Sequence, residues 1–172
     1  MIDQLALKAA TYIKNQAPAD HPTSIAVLKH ALAILINMAM IIFVVIVITS
    51  MLGTLKLAVI SMTCFAVLRQ ITGGYHLKSG IQCVVVSSLL FIVLPLVAIP
   101  DSIIIYFTLI SMLLCVIFAP SDIAKQSRIP AKFYPLLKAL GVIVVASNLL
   151  IGSDIVALSF LAQTLLLIKW RR

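Results

Sequence analysis

Charge is scarce in this chain. Only 10% of its 172 residues are charged, and five of them are acidic. A soluble domain carries roughly 25% charged and 45–50% apolar residues. Here 63% are apolar and the mean hydropathy is +1.21. One soluble core of this size cannot hide that excess, so part of the surroundings must be lipid. Cysteine is sparse too. Cys64, Cys83 and Cys115 are too few for a disulfide framework. The first 20 residues hold Asp3, Gln4, Lys8, Lys14, Asn15, Gln16 and Asp20, so they do not read as the unbroken apolar core of a signal peptide. No H-E-x-x-H helix and no G-x-S-x-G elbow occurs. His21 and His30 have no metal-like partner nearby, and a zinc site needs three or four ligands at suitable spacing. No cofactor is expected. There is no internal repeat.

What the chain does have is long apolar runs with basic residues between them. Runs of about membrane length fall at 31–52, 55–68, 80–99, 103–119, 136–151 and 154–168. The second, fifth and sixth are short. The expected fold is an all-α integral membrane protein with about six transmembrane helices, or four full spans with re-entrant or interfacial segments beside them. Residues 1–172 form one membrane domain on this reading. Residues 2–16 show helical periodicity, with Ile2, Leu5, Ala6, Ala9, Tyr12 and Ile13 on one face. That pattern predicts an N-terminal amphipathic helix lying in the interface, within a segment 1–22 closed by Pro18 and Pro22. An ordinary helix packed on protein is the competing reading.

The 13 basic residues give a net charge of +8. Interleaved with apolar runs, they suit lipid headgroups or an acidic peptide better than nucleic acid. With six crossings and the N-terminus inside, Lys8, Lys14, Lys29, Arg69, Lys78, Lys125, Arg128, Lys132, Lys138, Lys169, Arg171 and Arg172 all face the cytoplasm, and only Lys56 lies outside. Cytoplasmic segments of membrane proteins carry this excess. The 120–135 loop is its densest part.

One stretch carries chemistry. Residues 69–83 read R-Q-I-T-G-G-Y-H-L-K-S-G-I-Q-C. Gly73 and Gly74 break the incoming helix. Ser79 and Gln82 make an S-x-x-Q capping box, which places Cys83 in the fourth helical position. The positive end of a helix favours a thiolate. A thiolate is the nucleophile of cysteine peptidases, and a histidine is a suitable base. Residues seven apart on one straight helix are separated by roughly 10.5 Å along the axis. His76 and Cys83 must therefore meet through a fold in the Gly74–Gly80 stretch. Taken singly, a cysteine at a helix end is more often packing, and an interfacial histidine is more often merely solvated. Arg69 either anchors the span end or orients a substrate carboxylate. Cys64 and Cys115, inside spans, read as packing.

The block R-x3-G-G-Y-H-x2-S-x3-C resembles the AgrB family, the accessory gene regulator B proteins of Gram-positive quorum sensing. A second match is F-A-P-S-D at Phe118–Asp122, followed by the basic residues Lys125, Arg128 and Lys132. Leu77 stands where many members carry a small residue, which bears on loop packing. The resemblance implies a cysteine endopeptidase of the cytoplasmic membrane. Such an enzyme removes the C-terminal part of a precursor peptide, AgrD, and promotes its closure into a thiolactone or lactone ring. It implies Cys83 as nucleophile and His76 as base. Arg69, Gly73, Gly74, Ser79, Gln82, Lys125, Arg128 and Lys132 are then supporting or substrate-binding residues. The implied partners are an AgrD-like peptide and membrane lipids, and a homodimer stays open.

Two other classes compete. A substrate-binding component of a small-molecule transporter fits the size and hydropathy. It would need polar groups near the midplane, and only Asn37, Thr63, Ser87, Ser88, Ser111, Ser147 and Asn148 are noted there. A structural scaffold leaves the glycine–histidine–cysteine cluster without a purpose.

Overall fold

The computed structural model describes residues 2–18, 23–75, 79–121 and 130–168. Every named element in them is helical, as the composition requires. Four helical stretches are long and apolar enough to cross a membrane: Ile25–Met51, Leu55–Thr72, Asp101–Phe118 and Ala131–Ile151. Gly80–Leu96 and Asp154–Leu165 are shorter. All six apolar runs of the sequence expectation are thus helical, four of them of crossing length and two shorter. The chain divides into two compact units.

The first unit holds Met1–Ile48 and Leu77–Leu90. Its first helix, α1 (Ile2–Gln16), has three arcs. Asp3, Lys8 and Lys14 mark the polar one. Ile2, Ala6 and Ala10 are buried against protein, while Leu5, Tyr12 and Ile13 stay open. One edge of the helix packs on protein, as the competing reading has it, and the next leaves apolar side chains exposed. Next comes α2 (Ile25–Met51). It starts six residues before the apolar run because Ser24 caps it, its hydroxyl accepting from the Val27 N–H at 3.3 Å. Lys29 and His30 thus lie on its first turns. Ile34, Leu35, Met38 and Phe43 are exposed, and Val45 is buried. A helix apolar on all sides with so little protein contact is one solvated by lipid. Most of α4 (Gly80–Val93) also belongs here. At its start Gly80 lies against Asn37 of α2, where a Cβ would come within 3.0 Å of the amide.

The second unit holds Thr49–His76 and Phe91–Arg172. It contains α3 (Leu55–Thr72), a 3-10 turn at Leu94–Leu96, α5 (Asp101–Phe118), α6 (Tyr134–Ala146), α7 (Asn148–Ile151) and α8 (Asp154–Leu165). Pro95, with no N–H to donate, ends the α-helical part of the Gly80–Leu96 stretch. At about 1.5 Å per residue, the 12 residues of α8 fall well short of the roughly 30 Å hydrocarbon layer. Ile155 through Phe160, Gln163 and Thr164 are all buried. This helix is the unit's axis, packed chiefly on α5 and α3.

Polar groups on these helices find partners inside the unit. Ser159 donates to Ser61 at 2.8 Å. Asn148 donates to Thr108 at 3.0 Å and closes the turn through Ser153. Interhelical hydrogen bonds of this kind contribute roughly 0.6–2 kcal/mol in a membrane. Gly141 lets α6 approach α3: a Cβ there would sit 2.8 Å from Thr72 Cγ2.

Candidate functional site

The stretch from Arg69 to Cys83 is built in two halves, one in each unit. In the second unit, α3 runs on to Thr72, four residues past the apolar run, so Arg69 is helical. Its half-buried guanidinium is held against the protein. Nη1 donates to Gln163 Oε1 at 3.2 Å, Nη2 donates to the Tyr75 carbonyl at 2.7 Å, and the group lies 5.8 Å from the Phe65 ring centre. The Phe65 ring meets Phe91 edge-on at 5.2 Å.

Gly73 then ends the helix at φ 71 and ψ −145, its N–H returning to the Arg69 carbonyl. Gly74 follows at φ 134. Both values lie where a side chain is strained, so the pair of glycines is a requirement of the turn. The turn is pinned on three sides. The Gly74 N–H donates to the Ser121 carbonyl at 3.0 Å, and the Ser121 N–H donates to Thr72 at 2.9 Å. The Tyr75 N–H donates to the Leu166 carbonyl at 3.0 Å. Gln163 Nε2 donates to the Gly73 carbonyl at 2.7 Å and lies 3.3 Å from Thr72 Oγ1.

Two features of the sequence are thereby joined. The G-G-Y block and the A-P-S block, 46 residues apart, form one short parallel bridge at Gly73 and Ser121. The Ala119–Pro120 peptide before it is cis. The third wall, made of Gln163, Leu166 and the end of α8, lies within the apolar run 154–168 and carries no motif of its own. A glutamine in such a run was the available signal, since an intramembrane polar group demands a partner.

In the first unit, α4 begins at Gly80, and the Cys83 N–H donates to the Ser79 carbonyl at 3.0 Å. This is the expected register: Ser79 flanks the helix and Cys83 closes its first turn. The thiol is half-buried and lies 4.0 Å from the Ser87 hydroxyl one turn on. Gln82 is exposed. The reciprocal side-chain bonds of the expected capping box are not seen among the described residues. His76, Lys125 and Arg128 lie outside the described residues. Lys132 is exposed, its ammonium 5.1 Å from the Phe133 ring centre. Cys64 is partly buried in α3 and Cys115 fully buried in α5, each within a span as expected.

Membrane-length helices define a multi-pass helical membrane protein, with a glycine turn pinned on three sides in one unit and a thiol at a helix start in the other. Comparison with family models is specific: the model for AgrB, accessory gene regulator B, matches residues 6–168. The chain belongs to the AgrB family. Comparison with curated proteins and with solved structures gave no match. AgrB proteins are a peptidase family, so membership implies the processing of an AgrD propeptide and an AgrD-like substrate.

Proposed function

We propose that this protein is a membrane-embedded cysteine endopeptidase that cleaves off the C-terminal part of an AgrD-type propeptide and promotes cyclisation of the remainder. Cys83 is the nucleophile and His76 the base. The observation that carries this reading is the register of α4, whose first turn ends on Cys83.

In the first step His76 takes the thiol proton, and the Cys83 sulfur attacks the scissile carbonyl carbon. The C–N bond breaks, and the imidazolium returns its proton to the leaving amine. The C-terminal fragment departs, leaving an acyl-enzyme thioester on Cys83. In the second step a thiol or hydroxyl within the same precursor attacks that thioester. His76 takes that group's proton, a ring forms, the Cys83 thiolate leaves, and the proton passes to it. The mechanism requires contact between His76 and Cys83, and the glycine turn is the means of folding the chain for it. Arg69 takes a different role from a substrate clamp: it holds the Tyr75 carbonyl, which is part of the peptide leading into His76. Lys125, Arg128, Lys132, Ser79 and Gln82 are left as supporting residues. The segment 69–83, the 120–135 loop and both termini face the cytoplasm on this reading, because 12 of the 13 basic residues then lie inside.

Co-expression with a candidate precursor, followed by mass analysis of the fragments, tests the proposal. Cys83→Ala is expected to leave the precursor whole while inserting normally. Undiminished cleavage by that variant would return the transporter reading to first place.

A further inference from the structure

The most constrained polar side chain in the second unit is one that the proposed reaction does not use. Gln163 is fully buried, at 0% exposure, in the last turn of α8, an apolar helix. Burying an amide is costly unless its groups are bonded, and here both ends are. Oε1 accepts from Arg69 at 3.2 Å. Nε2 donates to the Gly73 carbonyl at 2.7 Å and lies 3.3 Å from Thr72 Oγ1. Ser159, one turn earlier on α8, makes a simple helix-to-helix link to Ser61. Gln163 instead bonds the turn itself. It holds the first glycine's carbonyl directly. Through Arg69, whose other nitrogen holds the Tyr75 carbonyl, it also holds the far end. The second glycine is fitted to it: a Cβ at Gly74 would lie 3.3 Å from Nε2 and 3.4 Å from Arg69 Nη1.

The position asks for a donor and an acceptor on one side chain of this reach. Methionine has the length and neither group. Ionised glutamate accepts from Arg69 and cannot donate to Gly73. Asparagine is one methylene short.

We infer that Gln163 is a positioning residue of the reaction, its amide fixing Arg69 and the Gly73–Gly74 turn and so setting how the chain enters His76. The inference rests on the reading of His76 as the base. Gln163 is placed where it acts through the turn and not on the substrate. Its loss therefore lowers turnover more than binding, since small displacements of catalytic groups cost on the order of 10²-fold.

The test uses the full chain in lipid nanodiscs with an AgrD-type precursor peptide. Gln163→Met is expected to lower kcat by about 10- to 100-fold with KM within about twofold, and to speed hydrogen exchange at the Gly74 and Tyr75 amides. Gln163→Glu, which keeps the Arg69 acceptor, is expected to fall between methionine and wild type in both measurements. It carries the test if the methionine variant does not insert. Wild-type kcat in the variants overturns the inference, with or without faster exchange. So does a loss confined to KM. Cleavage that survives Cys83→Ala overturns the peptidase reading instead, and it is told apart because it concerns the parent chain and not the Gln163 variants.

Discussion

Replacing Gly74 by alanine probes the turn with the least change in chemistry. At φ 134 the backbone is in a region that costs a residue with a side chain about 1–3 kcal/mol. The new methyl would also meet Gln163 Nε2 at 3.3 Å, Arg69 Nη1 at 3.4 Å and the Leu166 carbonyl at 3.5 Å. The first two can yield slightly; the third is backbone. The turn can escape by giving up the Gly74–Ser121 bond, a loss of about 0.5–1.5 kcal/mol. The strain shifts the equilibrium from the native turn toward the escaped one by about 1–3 kcal/mol, a factor of roughly 5 to 150 in the equilibrium constant and the upper bound on the fall in its population. Helix packing in the second unit is untouched, so the expected result is a loss of precursor cleavage of up to that size with only a few degrees' fall in melting temperature. Cleavage rates at saturating precursor and thermal unfolding in the same detergent measure both. An alanine variant that cleaves at the wild-type rate would refute the claim that this turn serves the chemistry.

Other expectations follow from the same contacts. His76→Ala should lose nearly as much activity as Cys83→Ala, because groups that act as one unit are not additive; fragment analysis after co-expression reads it. Cys64→Ala and Cys115→Ala should stay active, since one lies partly buried in α3 and the other buried in α5, and neither is the proposed nucleophile. Asn148→Leu leaves Thr108 and the Ser153 N–H without their partner, at about 1–3 kcal/mol. It lies at the other end of α5 from Ser121 and should lower the melting temperature while keeping activity per folded molecule. A cysteine probe at Ser127 should react with an impermeant reagent only after the cells are opened, and labelling from outside would reverse the topology.

Much of the fold was legible because lipid writes a coarse pattern. Every predicted run corresponds to a helix or helical stretch, and ends marked by glycine or proline fell close. Boundaries failed where hydropathy and capping disagree. Ser24 starts α2 among polar residues. Arg69 stays helical because protein, not water, receives its guanidinium. Residues 134–151 break at Ser147, which no glycine or proline announces. The thiol's place at a helix start could be read from Ser79 and the residues after it. Gln163 could not be placed: its partners are 90 or more residues away, and nothing local says which helix it faces. The bridge between the glycine turn and Ser121 is hidden for the same reason, although each segment carries a motif of its own.

The central claim is a covalent intermediate on Cys83. Intact-mass measurement of the purified protein, quenched in acid soon after mixing with precursor, reads it directly. The account predicts an adduct equal to the N-terminal part of the precursor, removed by hydroxylamine and absent from Cys83→Ala. Release of the C-terminal fragment with no thioester on Cys83, and at the same rate from the alanine variant, would contradict it.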